Sequence, residues 1–364
     1  MKKLTFLFIT VILCYVDLFA SDVLPVRGFC IATPESKHLD RFIKFIDEEL
    51  ASRKVNTLVL RIDYRYEFER HPELRDHGFL TKQELQRIVA VCQKHQIRII
   101  PQVNLLGHQS WAESTGKLLQ VYPQFDETPG VRMPDKHEWP NADSLYCKSY
   151  CPLHPDLHNI IFNLIDEICD ACDADAFHAG MDEVFYIGHK DCPRCAGHDK
   201  AELYANEVNL LRGHLKKKKR QLWIWGDRLI DGNATGIGLW EGSANNTHRA
   251  IDLISKDIVI CDWHYERAEP TATLFALKGF NVVTCPWQKP ELAVVQTQDM
   301  FRLRKNSNHQ LRNRYQGMMQ TIWSGADAFL DEFYSNSAPA DESQAACFKV
   351  LFDAINVTNT TISH

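Results

Sequence analysis

Residues 176–188 read AFHAGMDEVFYIG: an apolar run that turns into a histidine, a glycine and the adjacent pair Asp182–Glu183. Two neighbouring carboxylates repel and are costly to desolvate, so such a pair is either solvated or functional. Successive side chains of a strand point to opposite faces, so both acids reach one cavity only where the strand ends and the backbone turns. They would then approach a bound molecule from the same side. That geometry suits a proton donor with a helper beside it.

The elements that must position the pair follow from periodicity. Short β-branched runs fall at 28–32, 57–63, 98–104, 176–182, 221–226, 257–262, 280–285 and 318–323. Amphipathic helices alternate with them. Leu39, Phe42, Ile43, Ile46 and Leu50 share one face, and Thr81 with Glu84 forms a capping box ahead of Leu85, Ile88, Val89 and Cys92. Ile160, Ile161, Leu164, Ile165 and Ile168 mark a third helix, Leu203, Leu211 and Leu215 a fourth, and Gly279 stops one over 271–278. Eight apolar strands alternating with helices predict a parallel (β/α)8 TIM barrel in one domain, with a doubly wound open sheet as the alternative. The long segment 105–155, rich in Pro, Gly and Trp, reads as an elaborate loop over the C-terminal face.

In a barrel the strand ends share one mouth, and this sequence delivers a consistent set of groups there. Asp63 ends the second strand, Asn104 with His108 the third, and Asp182 and Glu183 the fourth. Trp225 with Asp227 ends the fifth strand, Trp263 with Tyr265 the sixth, Trp287 the seventh and Trp323 the eighth, while Arg27 precedes the core of the first. Aromatic walls with a few carboxylates suit a sugar ring, whose C–H faces stack and whose hydroxyls bond to the acids. Conventional glycosidases hold two carboxyls about 5 Å or more apart across the scissile bond. A same-side pair leaves the nucleophile to come from the substrate.

These residues carry a family resemblance. His178-Ala-Gly180-Met-Asp182-Glu183-Val184 resembles the H-x-G-G-D-E-V signature of family 20 glycoside hydrolases, the β-N-acetylhexosaminidases. Arg27-Gly28-Phe29 is similar to that family's opening strand, and the run 97–108, IRIIPQVNLLGH, to its I-x-V-I-P-E-x-D-x-P-G-H strand. Trp223-Ile-Trp225-Gly-Asp227 and Cys285-Pro-Trp287 match further strands, so the likeness covers almost the whole chain after the leader. It implies retaining hydrolysis assisted by the substrate's 2-acetamido group, an exception to the two-carboxylate scheme. Glu183 would be acid then base, and Asp182 would orient the acetamido group. Arg27 would bond a ring hydroxyl, Asp63 and His108 would form a relay behind Glu183, and His178 would support the pair from behind. Trp225, Trp263 and Trp323 would wall the acetamido pocket, with Trp287 beside them. The chain departs from the pattern in Asn104 for Asp, Gln102 for Glu, Gln288 for a Tyr that Tyr265 would replace, and Trp323-Ser-Gly325 for W-x-E with Asp327 nearby.

Composition narrows the classes. A net charge of −6 with one basic block, KKKKR at 216–220, excludes a nucleic-acid partner, the block suiting a solvated helix end. Residues 1–20 combine a basic start, an apolar middle and Ala20, which predicts a secretory signal, an exported mature chain over 21–364 and no membrane partner after cleavage. The expected partner is a glycan with a terminal amino sugar; no cofactor and no catalytic metal are expected. Among twelve cysteines, Cys192-Pro-Arg-Cys195 with His189 and His198 around it suits a metal, a disulfide or free buried thiols, and Cys169 and Cys172 read as packing. Two other readings stay open: a glycosidase of other specificity using Glu241, Asp262 or Glu266 as a second carboxylate, and a non-catalytic glycan-binding barrel.

Overall fold

The computed structural model describes residues 24–138, 147–335, 340 and 342–362; the leader at 1–20 lies outside them. Eight parallel strands close into a barrel: β1 (Val26–Ala32), β2 (Thr57–Arg61), β3 (Arg98–Leu105), β4 (Ala176–Gly180), β5 (Gln221–Trp225), β6 (Val259–Trp263), β7 (Asn281–Cys285) and β8 (Tyr315–Thr321). Each strand neighbours its sequence successor, and β8 pairs back onto β1 in the register Val26↔Gly317 to Cys30↔Thr321. Closure excludes the open doubly wound sheet.

Two apolar layers hold the barrel. Inside, alternate residues such as Cys30, Val59, Ile100, Trp223, Trp225, Cys261, Val283 and Met319 form the inner core. Outside, helices α1 (Leu39–Phe45), α2 (Lys82–Lys94), α3 (Leu157–Ala171), α4 (Lys200–Lys217), α5 (Thr271–Leu277), α6 (Pro290–Asn306), α7 (Ala326–Phe333) and α8 (Gln344–Ile362) cover the strands' other faces. The capping box is present at α2, where the Thr81 side chain accepts from Glu84 N and Glu84 returns the bond. Gly279, at φ 91°, ends α5 in the left-handed conformation that costs glycine least. Lys216 and Lys217 fall in the last turn of α4, where cations complement the helix dipole.

The structure departs from simple alternation between β5 and β6, where short turns at Asp227–Leu229, Gly232–Thr235 and Thr247–Asp252 replace a long helix. The loop after β3 carries a two-stranded ribbon, Ser110–Trp111 with Ser114–Thr115, and an antiparallel bridge between Asp126 and Tyr150. No helix among the described residues is long and apolar enough to cross a membrane.

Candidate active site

The mouth is built by strands that end abruptly. Five non-glycine residues there have left-handed backbones: Asp63 (φ 48°), Leu106 (61°), His108 (53°), Met181 (73°) and Glu183 (47°). Such conformations cost about 1–3 kcal/mol each and persist only where surrounding contacts impose them. After Gly180, itself at φ 68°, these turns bring both acids to the same imidazole, that of His108. Gly107 permits the close approach of the β3 loop, since a Cβ there would lie 2.4 Å from the Asp182 carbonyl oxygen.

One imidazole bridges the pair. His108 Nε2 lies 3.1 Å from Asp182 Oδ2 and 3.2 Å from Glu183 Oε2, and the Cys147 thiol donates to Glu183 Oε2 at 3.3 Å. Burial would push the His108 imidazole down, but the Asp182 charge and the Cys147 contact outweigh it and hold the ring well above its ordinary value. Burial likewise pushes the Glu183 carboxyl up, and the hydrogen bond and charge of His108, with the thiol, more than offset it. Both shifts favour a proton on the His108 imidazole beside an ionised Glu183. Asp182 Oδ1, by contrast, is buried with no hydrogen-bond donor among the described residues.

A second layer fixes this arrangement. Asp227 Oδ2 accepts from Glu183 N at 2.9 Å and from Arg228 Nε at 2.6 Å, while Oδ1 accepts from the Trp263 indole at 3.3 Å. Burial raises the Asp227 carboxyl to about 6, against the pull of Arg228. Asn245 donates to the carbonyls of Val184 and Phe185 and so holds the turn beyond the pair. His178 accepts from Gly180 N through Nδ1 and packs 4.4 Å from the Trp225 ring; burial lowers it to about 3, so it is a neutral support. Asp63 accepts from Asn104 N at 2.8 Å; burial raises its carboxyl, opposed by that bond and the nearby Arg61 and His108 charges.

The aromatic wall assembles as a connected set. Trp323 Nε1 donates to the Tyr265 hydroxyl at 2.8 Å, Tyr265 stacks on Trp263 at 4.9 Å, and Trp323 lies 5.7 Å from Trp225. The Trp225 indole N–H is buried without an acceptor among the described residues. Trp287 stands 5.3 Å behind Tyr265 and gives its N–H to Gln344, so it backs the wall.

Arg27 is not at this site. It sits near the N-terminal end of β1, where its guanidinium donates to the carbonyls of Lys54 and Leu24, so it has no access to a sugar at the opposite rim. Arg61, by contrast, does reach the mouth: it ends β2, donates to Ile322 O and lies 4.6 Å over the Trp323 ring. Sequence alternation offered a signal, because Thr57, Val59 and Arg61 share the inward face of β2. The sequence shows Asp227 only as a strand-end acid and Cys147 only as one of many cysteines, four positions before Cys151.

The candidate second carboxylates have other partners. Glu241 bonds His264 Nδ1 at 2.8 Å and Tyr265 N at 2.9 Å, Asp262 accepts from Thr271 at 2.8 Å, and exposed Glu266 pairs with Lys289 at 2.7 Å. The departures Gln102 and Asn104 bond each other at 2.9 Å, a neutral pair beneath the mouth.

Comparison with known proteins agrees with this architecture. Residues 33–336 match the model of glycosyl hydrolase family 20, catalytic domain. A β-hexosaminidase of Vibrio furnissii is 25% identical over 222 residues, covering 60% of this chain and 32% of that protein; one of Porphyromonas gingivalis is 24% identical over 246 residues, covering 60% and 30%. The chain thus spans about a third of the length of these relatives. Among solved structures, a chitobiase of Flavobacterium johnsoniae superposes with a TM-score of 0.61 at 19% identity, over 93% of this chain and 51% of the other. By sequence model and by barrel, the chain belongs to glycosyl hydrolase family 20.

Proposed function

We propose that the chain is an exo-acting β-N-acetylhexosaminidase that removes a terminal β-linked N-acetylhexosamine with retention, using the substrate's own 2-acetamido group as nucleophile. The observation that carries this reading is the same-side pair with one unsatisfied buried oxygen. Leaving Asp182 Oδ1 without a donor costs about 1–3 kcal/mol, and an acetamido N–H supplies that donor.

The steps balance on this chain's residues. Glu183 gives its proton to the glycosidic oxygen, the C1–O bond breaks, and the acetamido carbonyl oxygen bonds to C1 as an oxazolinium. Asp182 holds the N–H and offsets the positive charge that develops there. Water then attacks C1, Glu183 takes its proton, and the amide re-forms. His108 supplies the proton that Glu183 needs once a substrate displaces the imidazolium contact. Trp225, Trp263 and Trp323 enclose the acetamido methyl, and the Tyr265 hydroxyl faces its carbonyl. The engagement of Glu241, Asp262 and Glu266 with other side chains favours this over a conventional second carboxylate.

The experiment is a panel of aryl β-glycosides with and without the N-acetyl substituent, assayed with wild type and Glu183→Gln. Cleavage of N-acetylglucosaminides or N-acetylgalactosaminides but not of glucosides is expected, with loss of turnover in the variant. Equal cleavage of glucosides would defeat the reading, and glycan binding without turnover would establish a binding barrel. Export of the mature chain is a separate proposal resting on the leader, tested by locating the processed protein outside the cytoplasm.

A further inference from the structure

Away from the carboxylate pair, four buried groups converge from two loops. Cys151 Sγ lies 3.4 Å from Cys195 Sγ and 3.5 Å from Cys192 Sγ, and Glu127 completes the cluster, all ligand atoms within 4.8 Å of one another. All four residues are at most 1% exposed. We propose that Glu127, Cys151, Cys192 and Cys195 form a structural zinc site that clasps the β3 loop to the β4 loop beside the barrel mouth.

Each feature of the cluster calls for a cation. Glu127 Oε1 accepts from His189 N, but Oε2 is buried with no hydrogen-bond partner among the described residues, beside the thiols of Cys151, Cys192 and Cys195. A carboxylate sealed against thiols, with no basic side chain paired to it among the described residues, is strongly disfavoured without a counter-charge. A disulfide does not resolve this. Sulfurs 3.4–3.5 Å apart are not bonded at the roughly 2.05 Å of an S–S link, and pairing any two of three leaves one thiol and the carboxylate behind. Tetrahedral zinc with bonds of about 2.3 Å instead sets sulfurs about 3.8 Å apart, a small expansion of what is present.

The backbone is arranged for it. Cys195 N points at Cys192 Sγ at 3.4 Å, so the Cys-Pro-Arg-Cys turn offers a hydrogen bond to a metal-bound thiolate. Glu127 and Cys151 lie on paired segments, held by Glu127 N to Ser149 O and Cys151 N to Phe125 O. His189 and His198, which flank the motif, are not in the cluster; the ring of His189 turns to Asp191 at 3.6 Å. Binding Zn2+ would release the thiol protons to solvent and leave three thiolates and one carboxylate around the ion. The segment running from Cys151 back to Cys147 then links the ion to the thiol on Glu183.

The test is metal analysis of the full chain purified without chelator, together with Co2+ substitution of the wild type. One equivalent of zinc per chain is expected, and cobalt should give sulfur-to-metal charge-transfer bands with the intense visible bands of a tetrahedral site. Cys192→Ser and Glu127→Gln should lose the metal, and Cys147→Ala and His189→Ala should keep it. Metal that survives Cys192→Ser but disappears with Cys147→Ala would place it on His108, Cys147 and Glu183 and overturn the assignment. A chain that takes up neither Zn2+ nor Co2+, or whose mass shows a disulfide among Cys151, Cys192 and Cys195, would overturn it as well.

Discussion

At the scale of single residues, the proposed reaction gives the adjacent acids two different tasks. Glu183→Gln removes the transferable proton and is expected to lower kcat about 10²–10⁴-fold, and Asp182→Asn about 10²–10³-fold, with the circular dichroism spectrum of each unchanged. Wild-type rates in either variant would separate that acid from the reaction. His108 makes a pH-dependent contribution to stability. Its raised value means that its stabilisation is complete below the unfolded value of about 6.5 and is lost as pH rises toward the folded value. The lowered value of Glu183 means that its share is present above about 4.3 and lost as pH falls. Denaturant titrations of wild type and His108→Gln should therefore differ most near about pH 5–6, the gap narrowing by up to about 1.4 kcal/mol per pH unit above 6.5. A gap that widened in alkali would contradict a protonated His108 beside Glu183. The acids, His108 and the tryptophans were legible because their types are rare and their strand-end spacing repeats. Arg27 misled because a motif match says nothing about which end of a strand a residue occupies.

At the scale of elements, the left-handed turns matter as much as the strands. A Cβ at Gly180 would meet Asn104 Oδ1 at 2.4 Å while forcing φ 68° on an L-residue, and one at Gly107 would meet the Asp182 carbonyl. Gly107→Ala is expected to cost about 1–3 kcal/mol in urea unfolding and to lower kcat more than it raises KM, because it displaces the backbone that carries the pair. A fully stable, fully active Gly107→Ala would show that the close approach is not needed. The helices announced themselves through the 3.6-residue period and the Thr81–Glu84 cap. Asp227 did not: its hold on Glu183 N and the Trp263 indole depends on β4, β5 and β6 being successive neighbours, which no local pattern encodes. The Glu127–Cys151–Cys192–Cys195 cluster draws on segments up to 68 positions apart, and only Cys192 and Cys195 form a local motif.

At the scale of the whole molecule, barrel closure gathers eight separate strand ends around one mouth, where the same-side acid pair and the tryptophan wall meet. The eightfold alternation was readable because buried parallel strands are continuously apolar. The replacement of one helix by short turns between β5 and β6 was not, since turns that pack through Arg228 and Ser243 leave no periodic trace. The central claim is that the substrate's amide is the nucleophile. Its most direct test is kcat/KM for aryl β-N-acetylglucosaminides whose acetyl methyl carries zero, one, two or three fluorines. Fluorine withdraws electrons from the carbonyl oxygen, so the account predicts a steep, progressive fall along the series. A flat series would mean that a protein carboxylate attacks C1, and the account would be wrong.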